Sequence, residues 1–478
     1  MAAKEKATVA TPSLAYEAMT NRWWKMGTLL GGTEPMREAG EDMAPKHEHE
    51  SVTNYDERIM GNVLFNMVDL TLRMWVGRPF ANQIQFTEDF SEHLVPLMDD
   101  VDLDGNNLDV FSRRWFRDGV AKAFSHVLVE FPHMEVPTMG RTLADDDRMN
   151  IRPYFVHIHP EQVIFALATR IEGREVLTHI RIEEQVTHMD EWEEVVTPQI
   201  RVLELDAINI GTDEEPNFVT KVRVDIYQQD EKQNWGVVET WWMDIDFIPL
   251  VTFYSDRTGF MQGRSPLDDL ADLNIRHWQS MSDQISILTV ARFPMLAVSG
   301  GDDEEGKLVI GPKEWLYTPD PAARFYYVEH KGAAISAGKA DLDDLEKRMQ
   351  SYGAEFTKDR PDREAASARA LDSIEATSPL QDVAFRFNDA LNFALKIMSA
   401  WMNKDHTGKA RIPTEFTSPE ASELQTLLET WKEGGLTTEE YLKELQRRGV
   451  LDEENVNFKK PNRTPDKSKE PERNTDEI

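Results

Sequence analysis

His157 and His159 stand two residues apart in the run YFVHIH. Alternation along a strand places their imidazoles on one face, which is how a metal site begins. No third ligand is evident in the sequence, and the pair reads first as core or surface histidines. Asp100, Asp102 and Asp104, followed by Gly105, copy the first half of a calcium loop. The twelfth position, where a bidentate Glu is needed, is Phe111, so a solvated turn capping the next helix is the better reading. Gly301-Asp302-Asp303-Glu304-Glu305-Gly306-Lys307 has the spacing of a phosphate-binding loop. Leu308 replaces the hydroxyl that would hold Mg²⁺, and KLVIG reads as a strand where a helix is required. His47-Glu48-His49-Glu50 sits in a polar loop and lacks the HExxH spacing of a zinc helix. No Gly-x-Ser-x-Gly elbow occurs. There is no cysteine, so thiolate ligands, a thiol nucleophile and disulfides are excluded. The expectation is a chain with no catalytic residue, no cofactor and no metal, and not an enzyme.

The elements that position these residues follow from periodicity and caps. A helix is predicted over 14–30, capped by Ser13 and ended by Gly31-Gly32, with a polar stretch after it. A second is predicted over 54–76 from Thr53, and a third from Val110 to Val129. Residues 150–256 carry short β-branched and aromatic runs, as in TKVRVDIYQ, and read as β-rich. Ser265-Pro266-Leu267-Asp268 is a strong helix start. Behind it the apolar stripe runs Leu267, Leu270, Trp278, Met281, Ile285 and Leu288, broken only by Asn274. Continued to residue 290, that helix would be about 37 Å long. Residues 293–332 form a small β unit. Helices follow at 341–356 and 363–402, the second with Pro379 inside it and a kink expected there. Ser418-Pro419 opens a further helix, and Thr437 with Glu440 caps the next. The charged stretch 452–478 reads as a disordered tail.

The 478 residues exceed what one hydrophobic core usually organises, so several substructures are expected. Hydrophobic residues make up 40%, which rules out wholesale disorder. The net charge of −33 excludes an ordinary nucleic-acid binder, because gripping phosphates needs clustered Lys and Arg. It does not exclude a pore through which DNA slides without adhering. No run of about 18 apolar residues occurs, so no membrane span is predicted, and the N-terminus has no signal-peptide core. Two long helices with narrow stripes, bracketing a β unit, call for neighbours along their length, as in a ring of identical subunits.

The stretch RSPLDDLADLNIRHWQSMSDQI followed by RFPMLAVSG resembles the segment of tailed-bacteriophage portal proteins that leads down the stem into the clip. GNVLFNMVDLTLRMWVGRPF and RPYFVHIHPEQVI resemble N-terminal stretches of one branch of that family. The resemblance covers about residues 50–402. It implies an α+β portal fold with long stem and kinked tunnel helices, a β-rich wing and a small α/β clip. The segments would be an N-terminal arm at 1–49, a wing at 50–263, a stem helix at 264–290 and a clip at 291–333. A returning stem helix at 334–356, a tunnel loop at 357–370, a kinked helix and wing at 371–414 and a crown at 415–451 would follow.

The implied role is a homo-oligomeric ring, of about twelve subunits in cyclic symmetry, at one capsid vertex of a virion assembled in the host cytoplasm. Double-stranded DNA would pass through it during packaging and ejection. The terminase large subunit would dock on the clip, where Glu304, Glu305 and Lys307 fall. Major capsid and scaffolding proteins and a head–tail adaptor would be further partners. Lys358, Arg360, Arg363 and Arg369 fall in the tunnel loop and at the start of its helix, as DNA contacts. Leu267, Leu270, Trp278 and Ile285 would pack the stem. Another head–tail adaptor or virion component is the alternative, and a metal-dependent enzyme a third reading.

Overall fold

Local caps set the first elements of the chain. A computed structural model describes residues 7–133, 149–171, 173–209, 218–230, 232–292, 295–299, 324–328, 333–353, 366–414, 427–428, 430–432 and 435–447. Helix α1 spans Leu14–Gly31; Ser13 accepts the Tyr16 N–H, and Gly32 ends the helix at φ 90°. The polar stretch after it contains a short helix, α2, at Thr33–Glu38.

The single helix expected over 54–76 is two: α3 at Val52–Met60, capped by Ser51 and not Thr53, and α4 at Met67–Gly77, capped by Asn66. The cause lies elsewhere in the chain. Asn274 Oδ1 accepts the Met67 and Val68 N–H groups at 2.9 and 3.2 Å, and its Nδ2 donates to the Phe65 carbonyl. A distant side chain therefore satisfies the amides that a continuous helix would have used. The residue that interrupts the apolar stripe is fully buried for this reason.

After β1, Gln85–Phe86, helix α5 occupies Leu108–Lys122. It does not continue to Val129 as expected. Ala123 takes a positive φ of 78°, and β2, Phe124–Glu130, follows with every residue buried. Apolar alternation cannot distinguish a helix from a strand hidden on both faces, so the helix pattern ran on in error.

The β-rich segment is as expected. Its strands are β3 (Tyr154–Ile158), β4 (Val163–Ile171), β5 (Arg174–Asp190), β6 (Glu193–Asn209), β7 (Phe218–Gln229), β8 (Trp235–Met243) and β9 (Leu250–Tyr254). They form an antiparallel meander β4-β5-β6-β7-β8 and a three-stranded sheet β3-β2-β9. Ile180, Leu203, Val222 and Val224 of the meander pack with Leu128 and Leu250 of the smaller sheet. Short strands β10 (Arg257–Gly259) and β11 (Gln262–Gly263) lead into helix α6, Asp268–Arg292. Strands β12 (Met295–Ser299) and β13 (Arg324–Val328) pair antiparallel, and α7 follows at Ala333–Gly353. That helix starts eight residues before the predicted 341. Helix α8 runs Ala366–Trp401 through Pro379, and β14, Ala410–Arg411, pairs back onto β1. The architecture is mixed helix and sheet, α+β.

Residues 417–478 form a separate unit. Its helix α9, Thr438–Arg447, opens on the predicted capping box: Glu440 accepts the Thr437 N–H and Thr437 accepts the Glu440 N–H.

One aromatic knot joins helix and sheet in the first unit. Phe116 stacks on Phe253 at 5.6 Å, while Phe387 lies edge-on to Phe253 at 5.0 Å and to Trp115 at 5.1 Å. Gly119 is what lets α5 approach: a Cβ there would lie 2.4 Å from the Phe253 ring, which is fully buried and cannot retreat. Gly119→Ala is therefore expected to lose about 1–3 kcal/mol by overpacking, despite alanine's better helix propensity. A urea midpoint at or above that of the parent would refute this packing.

Candidate functional site

Two places in the first unit bring together the residues singled out by sequence. The first is the helix pair α6–α7. Leu267, Leu270 and Trp278, expected to pack a stem between subunits, are each 1% exposed and lie in the subunit's own main core. Helix α6 packs against α1, α3 and α4 of the same chain. Ser265 begins the helix; its hydroxyl accepts the Leu267 N–H and donates to the Val120 carbonyl.

Halfway down α6 a buried ion pair fastens it. Arg58 donates to both oxygens of Glu50 at 2.8 and 2.9 Å and to the Ser282 hydroxyl at 2.8 Å, and it lies 3.4 Å from Asp283. The Arg58 hydrogen bonds hold the Glu50 carboxyl below the usual carboxylate range. His47 also reaches Asp283, at 3.0 Å. The His47–Glu50 stretch thus works as an anchor on α6.

Below this point the burial changes. From Ile285 to Ala291 no residue with a described side chain is fully buried, and Ile285, Ile287 and Leu288 are half-buried. On α7 the residues from Ala334 to Asp341 are exposed or half-buried, and burial resumes at Leu342, Leu345 and Met349. The helices close on one another at Gly338, where a Cβ would meet Gln284 Oε1 at 2.1 Å; Gln284 Nε2 donates to the Ile335 carbonyl. Among the described residues, β12 and β13 form a sheet of two strands and nothing more.

Glu304, Glu305 and Lys307 lie outside the described residues, as does the whole Gly301–Lys307 run. Lys358, Arg360 and Arg363 do too. Arg369 falls in the first turns of α8.

The second place lies between α5 and the smaller sheet, around a cavity of about 770 Å³ lined by Asp102, Asp104, Arg114, Arg117, Asp118 and Tyr154 among others. His157 and His159 share a face as expected, with ring centroids 4.7 Å apart. Asp118, which sequence reasoning missed, completes a cluster with them. Its Oδ2 lies 3.0 Å from His159 Nδ1 and 3.5 Å from His157 Nε2, and it accepts from the Ser125 hydroxyl at 2.8 Å. Its Oδ1 lies 3.1 Å from Lys122 Nζ, which also pairs with Glu161 at 2.8 Å. Although burial acts against its charge, hydrogen bonds from His157 and His159, with Lys122 beside it, keep the Asp118 carboxyl well below its usual range.

The Asp100–Gly105 loop faces the same cavity, but its carboxylates are engaged locally. Asp100 accepts the Gly105 N–H and pairs with Arg152, while Asp102 accepts the Asp104 and Asn106 N–H groups. Phe111, at the twelfth position, is a core residue.

On the opposite face of β2, His126 is fully buried. It meets Thr252 Oγ1 at 2.9 Å, its Nε2 has no partner among the described residues, and burial lowers its pKa to about 3. The native state keeps this imidazole neutral down to that value, whereas the unfolded chain takes up a proton near 6.5. Stability from this group is therefore complete above pH 6.5. It falls by about 1.4 kcal/mol per unit as the pH drops from there toward 3. Chemical denaturation at pH 7 and pH 5 should differ by roughly 2 kcal/mol from this residue, and His126→Gln should shrink the difference. An unchanged pH slope in the variant would contradict it.

No curated protein sequence matches the chain. A family described as a domain of unknown function (DUF4055) matches residues 266–402, from the start of α6 to just past the end of α8 and under a third of the chain. Among solved structures, a chain in the neck of an empty gene transfer agent particle, computed with C6 symmetry, is similar over 88% of this chain and 99% of its own. Its identity is 11% and its TM-score 0.43. A chain of the native gene transfer agent virion is similar over 87% and 98%, at 10% identity and TM-score 0.40. One in the native particle's neck, computed with C12 symmetry, is similar over 86% and 98%, at 10% identity and TM-score 0.41. The overlap is loose in all three.

Proposed function

We propose that the chain is a portal-type subunit: a ring-forming virion protein whose copies line a channel for duplex DNA at one vertex of a phage or phage-like capsid. The observation that carries the reading is the unequal burial along the α6–α7 pair. Each helix is clamped into the subunit core at one end; at the other, α6 leaves Ile285, Ile287 and Leu288 only partly covered and α7 leaves Ala334 to Asp341 exposed or half-buried. A two-stranded sheet is marginal in water without a packing partner, and here it sits between these two helices in the chain. Copies of the same chain, arranged about an axis, supply neighbours to both helices and to the β tip at once.

In this reading α6 and α7 are the stem, and the β12–β13 unit is the clip that receives the terminase motor. The segment 357–370 borders the channel and brings Lys358, Arg360, Arg363 and Arg369 toward DNA. The net charge of −33 suits a wall that repels phosphates. Capsid, scaffolding and adaptor proteins are the remaining partners, and the subunit does no chemistry of its own. Sedimentation equilibrium of the full chain should give one assembly near twelve times 54.9 kDa. A single species at the mass of one subunit across the concentration range would refute the ring.

A further inference from the structure

We propose that Asp118, His157 and His159 bind a divalent transition metal of the zinc class, with a fourth position open to the cavity beside them. Zinc bonds of about 2.0–2.2 Å at tetrahedral angles hold ligand atoms roughly 3.3 Å apart. The carboxylate Oδ2 lies 3.0 and 3.5 Å from the two imidazole nitrogens, and all three atoms fall within 4.8 Å of one another. Two imidazoles with one carboxylate suit zinc better than a hard cation such as calcium.

The supports around the ligands are those of a built site. Asp118 sits on a helix locked by the aromatic knot, and His157 lies within a strand, paired with Val127 of β2. The Ser125 hydroxyl and the Lys122 ammonium orient the carboxylate from two sides, as outer partners of metal ligands do. Glu161 offsets the charge of Lys122, so the group of Asp118, Lys122 and Glu161 retains one negative charge for a cation. The cavity beside the cluster, lined by Asp102 and Asp104 as well as Arg114 and Arg117, leaves room for water as the fourth ligand. The metal would tie α5 to β3 inside the wing, a role separate from the channel itself.

The full-length protein, stripped with a chelator and titrated with ZnCl₂ against a chromogenic competitor, should take up one zinc per chain. CoCl₂ in its place should give the visible bands of tetrahedral cobalt. His159→Ala, at a half-exposed residue whose loss spares the core, should weaken uptake by about 100-fold. Asp118→Asn should do the same, while the exposed His188→Ala leaves it intact. No saturable uptake by the parent protein overturns the site, as does uptake that His157→Ala and His159→Ala leave unchanged.

Discussion

Leu270→Asp abolishes cooperative folding of the subunit. Leu270 is 1% exposed and belongs to the main core with Leu267, Ala271 and Trp278. Removing a buried leucine costs about 2–5 kcal/mol. A carboxylate in its place would be buried in the apolar core, which adds a penalty of several kcal/mol. Domains of ordinary stability hold only about 5–15 kcal/mol in reserve. Read from the sequence as stem packing, Leu270 would be expected to matter more to ring assembly than to wing folding. The geometry reverses that order. Circular dichroism and urea denaturation of the variant decide it: a parent-like midpoint would show that Leu270 is not core.

Ile285→Asp gives the opposite outcome, a folded subunit that does not assemble. Ile285 lies below the Arg58–Glu50 fastening and is only half-buried; within the chain it comes near Gly61. The cost to folding should be roughly 1 kcal/mol, typical of a partly exposed site. In a ring, the same carboxylate would be buried against the next subunit's helix at every interface, unpaired each time. Light scattering after size exclusion should find monomers where the parent forms one large species, with the urea midpoint nearly unchanged. Parent-like assemblies would place the subunit interface elsewhere.

Much of the fold was legible because its signals are local. Ser13, the Thr437–Glu440 capping box and Ser265-Pro266-Leu267-Asp268 each announce a helix from three or four adjacent residues. Leu380, Val383, Phe387, Leu391 and Met398, set at helical spacing in the sequence, are all buried on α8. What failed depended on distant partners. The break between α3 and α4 is made by Asn274, some 200 residues away. The switch from α5 to β2 happens at Ala123, where the chain stays buried through Glu130 although Lys122, Ser125 and His126 flank the break.

The Asp118 cluster was half legible. Strand alternation identified the His157–His159 face, but Asp118 lies about 40 residues earlier on a helix. Its only signal was an acidic residue among Trp115, Phe116, Gly119 and Val120, on the face that turns out to be buried.

Electron microscopy of the purified full-length protein tests the central claim most directly. The account predicts closed rings viewed end-on, with a central opening at least the width of a DNA duplex, about 20 Å. Uniform single particles the size of one 54.9 kDa subunit, without rings at any protein concentration, would contradict it.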